Sequence, residues 1–297
     1  GSQLLADLTA HAVMWFSRPI AQSNRFVGFY RRAIEAFRTQ RPQAVILIDY
    51  PGFHWHLAKA AKKMGIPVLY FGPPQIWAWA PWRVEKLRRW VDHTFCWLPF
   101  EAPWLERHGC PVTYVGHPFF DEVAAYHFDR AFLEQVRDAH PLLVLLPGSR
   151  DQEVSANGEL MLRTVMLLKR DIPHLRVAVA AFRPEQAERV KHLGETMKLP
   201  LEVFAGKTPE LIRAADCCLA VSGSVSLELL YHQKPTVIVY RIGQAAYHVQ
   251  SWFRRVKYIT LVNLMAYGGE KAAELTRDDR NSPEPENALF PEFLTYR

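Results

Sequence analysis

No stretch of 18 apolar residues occurs in this sequence, so nothing in it has the length and hydropathy of a membrane-spanning helix. No secretory signal peptide opens it. Cysteine is scarce: Cys96, Cys110, Cys217 and Cys218 are all there is. None forms a CxxC pair or has His at zinc-finger spacing, which excludes a disulfide scaffold and a zinc finger. The adjacent Cys217 and Cys218 sit in an apolar run and read as core thiols, so a reducing, cytosolic compartment is expected. Also missing are GxxxxGK[ST], HExxH and DxD motifs, any repeat of fixed period and any low-complexity tract.

What is present suits globular cores. The chain has 297 residues, 49% of them hydrophobic and 22% charged, a length that fits two domains. Its net charge of +6 is uneven: residues 1–120 hold 14 Lys and Arg against 7 Asp and Glu. Eight of the nine Trp lie there too, while the remainder is close to neutral. A basic, Trp-rich half beside a neutral half implies two domains with different tasks. Basic charge with aromatics suits an anionic membrane surface or nucleic acid.

Short β-rich runs alternate with helical patterns. Strands are expected at 44–48, 68–71, 94–98 and 112–115, with helices at 57–64, 83–91 and 102–108 between them. After Gly116-His117-Pro118, a polar helical stretch over 121–140 reads as a linker. The rhythm restarts with strands at 142–146, 176–181, 202–204, 217–221 and 236–240. Such βαβα order predicts a parallel sheet with helices on both faces. The fold class is therefore α/β, with two Rossmann-like domains facing a cleft: residues 1–120, the 121–140 linker, and residues 141–297. Ligands in such sheets bind beyond the carboxyl ends of the strands. From Gly268 the chain turns polar and reads as a loop.

Four segments could carry chemistry. Leu146-Pro147-Gly148-Ser149-Arg150 runs out of a strand, with Glu153 following. Gly148 allows close backbone approach, Ser149 and the amides after it can donate to an anion, and Arg150 suits phosphate oxygens. The alternative is a capped turn with a solvated Arg. Ser222-Gly223-Ser224-Val225-Ser226-Leu227-Glu228 leads from a strand into a helix, whose free amides make an anion site. Glu228, one turn in, could accept from ribose hydroxyls, or it is simply favoured by the helix dipole. Asp49, in Ile48-Asp49-Tyr50-Pro51-Gly52-Phe53, ends a buried strand and could be a general base, or a turn residue. Pro73-Pro74-Gln75-Ile76-Trp77-Ala78-Trp79, with Trp82-Arg83 and a basic helix, could dock an amphiphile or lie on lipid headgroups. It could equally be a partly buried aromatic cluster. His117, Arg241 and Asn263 are further candidates. Without DxD, a diphosphate here would be met by Arg and helix amides rather than a metal.

Taken in order, IDYPGF, PPQIWAW, LPFE (98–101), VGHP (115–118), LLPGSR, SGSVSLE, VYR (239–241) and YITLVNLMA (258–266) resemble the lipid-A-disaccharide synthases, inverting glycosyltransferases of GT-B fold. The resemblance runs through most of the chain. It implies transfer from UDP-2,3-diacylglucosamine to 2,3-diacylglucosamine 1-phosphate (lipid X), releasing UDP, with no cofactor and no metal. It implies Asp49 as base, with Arg150 taking the charge on the leaving diphosphate. Gly148, Ser149, Arg150, Ser222, Gly223, Ser224, Leu227, Glu228, Arg241 and Asn263 would form the donor site. Phe53, Gln75, Trp77, Trp79, Trp82, Arg83 and His117 would face the acceptor or the membrane. The expected location is cytoplasmic, peripheral on the inner face of the inner membrane, with no nucleic acid as partner. Departures fall at Gly52, where the family commonly has Asp, at His54-Trp55-His56 in place of Asn-Leu-Arg, and at Ala80. The family's opening strand with an SAGExSGD-type loop has no counterpart, and its C-terminal helices stop short after Phe293. The first domain is accordingly expected to be incomplete and the chain truncated at both ends. Two alternatives are another UDP-N-acetylglucosamine enzyme of GT-B type, a cell-wall transferase or an epimerase, and a basic aromatic nucleic-acid-binding module.

Overall fold

Leu142–Leu146 is apolar at every position and buried at every position, as expected of a central parallel strand covered on both faces. The remaining architecture is organised on this strand and on a second, separate sheet. The computed structural model describes residues 4, 23–137, 141–244, 258–267 and 288–296. The chain divides into two units, Gly1–Gly116 and His117–Arg297.

The first unit contains α1 (Ser23–Gln40), β1 (Val45–Ile48), α2 (Pro51–Lys63), β2 (Val68–Phe71), α3 (Ile76–Trp79), a 3-10 turn at Pro81–Arg83, α4 (Val84–Trp90), β3 (His93–Cys96), α5 (Glu101–Arg107) and β4 (Val112–Tyr114). Its four strands are parallel and lie side by side in sequence order, β1-β2-β3-β4. One face, with Leu47, Val68, Tyr70, Thr94 and Cys96, is buried. Helix α2 begins earlier than its Lys/Ala-rich part suggests. Pro51 takes a first-turn position, where its missing N–H costs nothing.

The second unit contains α6 (Phe119–Ala124), α7 (Arg130–Arg137), β5 (Leu142–Leu146), α8 (Asp151–Asp171), β6 (Arg176–Ala181), α9 (Pro184–Thr196), β7 (Glu202–Ala205), α10 (Thr208–Ala214), β8 (Cys217–Ala220), α11 (Val225–Tyr231), β9 (Thr236–Arg241), α12 (Leu261–Ala266) and β10 (Glu292–Thr295). All six strands are parallel, in the order β10-β9-β8-β5-β6-β7. This is the doubly wound Rossmann order, and it reverses between β5 and β8. Alternate residues of β5 enter two cores. Leu142, Val144 and Leu146 pack with Leu211, Leu227 and Leu229 on one face. Leu143 and Leu145 pack with Val154, Met161 and Val190 on the other.

The stretch expected as a linker over 121–140 is corrected in part. Leu133 and Val136 of α7 are buried in the core of the second unit, one helical turn apart on the same face. The polar residues between them turn outward, which is why the segment reads as polar in sequence. β10, also unexpected, is an edge strand whose register with β9 (Phe293 beside Val239) comes from pairing rather than from its own apolar content.

Candidate functional site

β5 and β8 are neighbours and parallel, so the loops after them leave the same edge of the sheet. These are Pro147–Arg150 and Val221–Ser224, at the point where strand order reverses. They line a pocket of about 530 Å³. Gly148, Ser149, Arg150, Ser222, Gly223, Ser224 and Glu228 all line it. Its far wall comes from Phe119, Tyr126, Phe182, Gly206, Thr208 and Pro209, which nothing in the linear pattern singled out.

Gly148 has φ +112°, and a Cβ there would come within 2.5 Å of the Glu153 carboxylate. The loop needs glycine because Glu153 folds back over it. One oxygen of Glu153 accepts the N–H groups of Ser149 (3.2 Å) and Arg150 (3.3 Å), and the other accepts from the Arg150 guanidinium (2.7 Å). The Ser149 and Arg150 amides are therefore not open to a ligand, contrary to the expectation that they donate to an anion. Among the described residues, the Ser149 hydroxyl and the remaining N–H groups of Arg150, whose side chain is largely exposed, are donors without a partner on this side.

The second loop is arranged differently. Ser226 and Leu227 N–H groups bond back to Gly223 and Ser224 carbonyls. The N–H groups of Gly223, Ser224 and Val225 meet no acceptor among the described residues and lie at the start of α11, where the helix dipole favours an anion. Ser222 is not a free hydroxyl: it donates to the Ile259 carbonyl (2.9 Å). Glu228 is 8% exposed, lines the pocket, and has no hydrogen-bond partner among the described residues. Burial, with the Glu122 and Glu210 carboxylates nearby, pushes its carboxyl up to about 7. A pocket carboxyl poised in this way can accept from a ligand's hydroxyl pair.

Three expected donor residues lie elsewhere. Leu227 is buried in the core, because the helix turns it away from Glu228. Arg241 does not line the pocket, and its N–H is held by Asn157 Oδ1 (2.6 Å). Asn263 is fully buried. Its amide donates to the Phe290 carbonyl (2.6 Å) and Glu292 (2.9 Å), and its oxygen accepts from Phe290 N–H (3.0 Å). It joins residues 258–263 to 288–292, and Ile259 in turn receives Ser222. Asn263 thus supports the site from behind.

In the first unit, Asp49 and Tyr50 both have positive φ (47° and 49°), a strained pair before α2. The Asp49 carbonyl accepts from His54 Nδ1–H (2.6 Å) and the Tyr70 hydroxyl (2.8 Å), leaving the Asp49 carboxylate exposed. Burial lowers the His54 pKa against the opposing pull of Asp49, favouring the neutral ring. Phe26 stacks on Tyr50 and packs against Phe53.

Trp77 is corrected from a membrane-facing to a structural residue. It is 2% exposed and its indole N–H donates to Glu101 (3.0 Å). Glu101 also accepts the N–H groups of Leu98 (3.0 Å) and Trp97 (3.2 Å), so the PPQIWAW and LPFE motifs meet in one buried clamp. Trp82, 63% exposed, and Arg83 and Gln75 do face outward. The Trp79 side chain lies outside the described residues. His117 opens the second unit and does not itself line the pocket; its Nδ1 accepts from the N–H of Phe119 (3.2 Å), which does. Among the described residues no group of three or more His, Cys, Asp or Glu could hold a metal, and no helix is long and apolar enough to cross a membrane.

Two Rossmann-like units, with a pocket at the switch point of the second, make this an α/β protein of GT-B class. Solved structures share the fold. S. aureus MnaA solved with UDP superposes with a TM-score of 0.53 at 12% identity, over 94% of this chain and 78% of that one. The UDP-GlcNAc 2-epimerase of Methanocaldococcus jannaschii gives 0.53 at 16% identity, over 78% and 70%. A sequence model of the lipid-A-disaccharide synthetase family matches residues 1–291. Lipid-A-disaccharide synthase 1 of Legionella pneumophila (strain Paris) is 34% identical over 270 residues, covering 90% of this chain and 70% of that protein. The lipid-A-disaccharide synthase of Trichlorobacter lovleyi is 33% identical over 286 residues, covering 96% and 74%. The chain belongs to the lipid-A-disaccharide synthase family, and with it to the glycosyltransferases.

Proposed function

We propose that the protein joins UDP-2,3-diacylglucosamine to 2,3-diacylglucosamine 1-phosphate, forming the β-1,6-linked disaccharide 1-phosphate and UDP. The observation that carries this reading is the pocket at the β5/β8 switch point. It combines three amides and one buried carboxyl, Glu228, that have no partner among the described residues with the Arg150 guanidinium. A nucleoside diphosphate needs those three things: donors for phosphate oxygens, a cation, and an acceptor for ribose hydroxyls.

The acceptor's sugar hydroxyl loses its proton to Asp49 and attacks the anomeric carbon from the face opposite UDP. The bond from that carbon to the diphosphate oxygen breaks, with inversion. Arg150 and the Gly223–Val225 amides stabilise the charge gathering on the departing diphosphate, and are already oriented when it forms. Arg150 can do so without leaving Glu153, since its fork has five N–H donors and Glu153 takes one. Trp82 and Arg83, an exposed aromatic beside a cation, support contact with an anionic membrane surface at the cytoplasmic face, where acylated substrates reside.

Calorimetry with UDP, paired with a turnover assay on acylated donor, tests the assignment. Arg150→Ala should lose roughly 10- to 100-fold in UDP affinity, the range for removing one charge-assisted contact. Asp49→Ala should bind UDP as the wild type does and lose turnover. An Asp49→Ala enzyme with near-normal rates removes Asp49 as the base. Equal turnover of unacylated UDP-N-acetylglucosamine points instead to a different UDP-sugar enzyme.

A further inference from the structure

The loop Pro147–Arg150 is held from two directions. From within, Glu153 takes the N–H groups of Ser149 and Arg150. From α9 comes Gln186, whose side-chain nitrogen donates to the Ser149 carbonyl (3.1 Å) and to Asp151 Oδ1 (2.9 Å). Both partners are acceptors only, so the amide can face them only with its nitrogen. Gln186 is 1% exposed, and its own oxygen is buried with no partner among the described residues. On α9 it is flanked by the buried Ala187 and Val190, a helix face where an apolar residue would serve the core. A buried glutamine with half its hydrogen-bonding capacity unmet carries an energetic penalty. The bonds it does make are what offset that penalty, and both end on the loop that borders the pocket.

We propose that Gln186 is a positioning residue of the anion site. With its N–H on Glu153 and its carbonyl on Gln186, the Ser149 peptide is fixed at both ends. The one polar group of Ser149 left without a partner among the described residues is its hydroxyl, and Ser149 lines the pocket. The same clamp sets where the chain enters Arg150, and so where the guanidinium lies. Gln186 touches no ligand itself. It acts through Ser149 and Arg150, and its effect should fall on the phosphates of a ligand rather than on the nucleoside. This inference rests on the nucleotide reading of the pocket given above.

The test compares UDP with uridine on the full chain, by calorimetry for UDP and by competition for uridine. Gln186→Leu keeps the size and removes both donors. Gln186→Glu keeps the shape and places a carboxylate against two acceptors. Both should weaken UDP roughly 10-fold or more, a change expected from losing a buried hydrogen bond, while uridine affinity stays within about twofold. If either variant binds UDP within twofold of the wild type, or loses UDP and uridine alike, Gln186 is not positioning the anion site. Should Gln186→Leu fail to fold, the Gln186→Glu result alone decides. A wild type that binds neither ligand overturns the nucleotide reading, and this inference with it, whereas a wild type that binds both isolates the Gln186 question.

Discussion

The two sheets of this molecule are made from similar strands and do different things. Among the described residues of the first unit the strands run β1-β2-β3-β4, with no reversal. Ile46 and Ile48 on β1 are 62% and 58% exposed, so that face of the edge strand is uncovered. In the second unit the order reverses between β5 and β8, and the central strand is buried on both sides. A reversal forces the two connections at that point to run to opposite faces, which opens a crevice between them. The described pocket lies in that crevice. Strand order, rather than composition, decides which half of the chain has a ready-made ligand site.

The largest effect expected from breaking this contrast is at Gly148. Gly148→Val introduces a Cβ into Glu153 at a φ that favours glycine. With strain of about 1–3 kcal/mol at such a residue, the loop must move, and UDP affinity measured by calorimetry should drop at least ~100-fold. Next is Glu101→Ala in the first unit, which strips an acceptor from the Trp77 indole and from two backbone N–H groups. Losing it should destabilise that unit by about 3 kcal/mol or more. Hydrogen exchange should accelerate in β3 and α3 while UDP affinity stays unchanged. A variant that loses UDP binding as well would tie the two units together more closely than their separate cores suggest.

The smallest effect is at Glu228. Its carboxyl has a folded pKa near 7, above the ordinary value of 4.5 that it takes when unfolded. A raised value means that the folded state binds the proton more tightly. The resulting stability is fully present below about pH 4.5 and is lost as pH rises through about 7. Glu228→Gln cannot ionise. It should match the wild type in thermal stability near pH 4 and exceed it at pH 8, by about 1–2 kcal/mol after allowing for solvent at the pocket mouth. Other buried carboxyls contribute alike to both proteins, so the difference reports Glu228. Equal pH profiles for the two would mean that Glu228 is ionised at no net cost.

Much of this was legible in the sequence where local chemistry and final geometry coincide. The strands of both sheets are short apolar runs, and the two loops facing the pocket carry Gly and Ser at strand ends. Glu228 was legible because its spacing from Ser222-Gly223-Ser224 places it on the first turn of α11. What was not legible depends on side-chain direction and on distant pairing. Leu227 and Glu228 are adjacent in sequence and point to different environments. Trp77 looks like an interfacial aromatic until Glu101, 24 residues on, takes its N–H. Gln186 is 37 residues from Ser149 and sits in a helix whose polar residues read as solvent-facing. β10 has too little apolar content to announce itself before β9 is there to pair with it.

Glu153 gives the site a further property. Its carboxylate already occupies the amides that an incoming anion might have organised, so the Pro147–Arg150 turn acquires its shape when the domain folds, not when a nucleotide arrives. Little ordering entropy is left to be lost on association. A site of this kind behaves as a rigid socket. It presents the Ser149 hydroxyl and the Arg150 guanidinium to the pocket in a geometry that folding has already set.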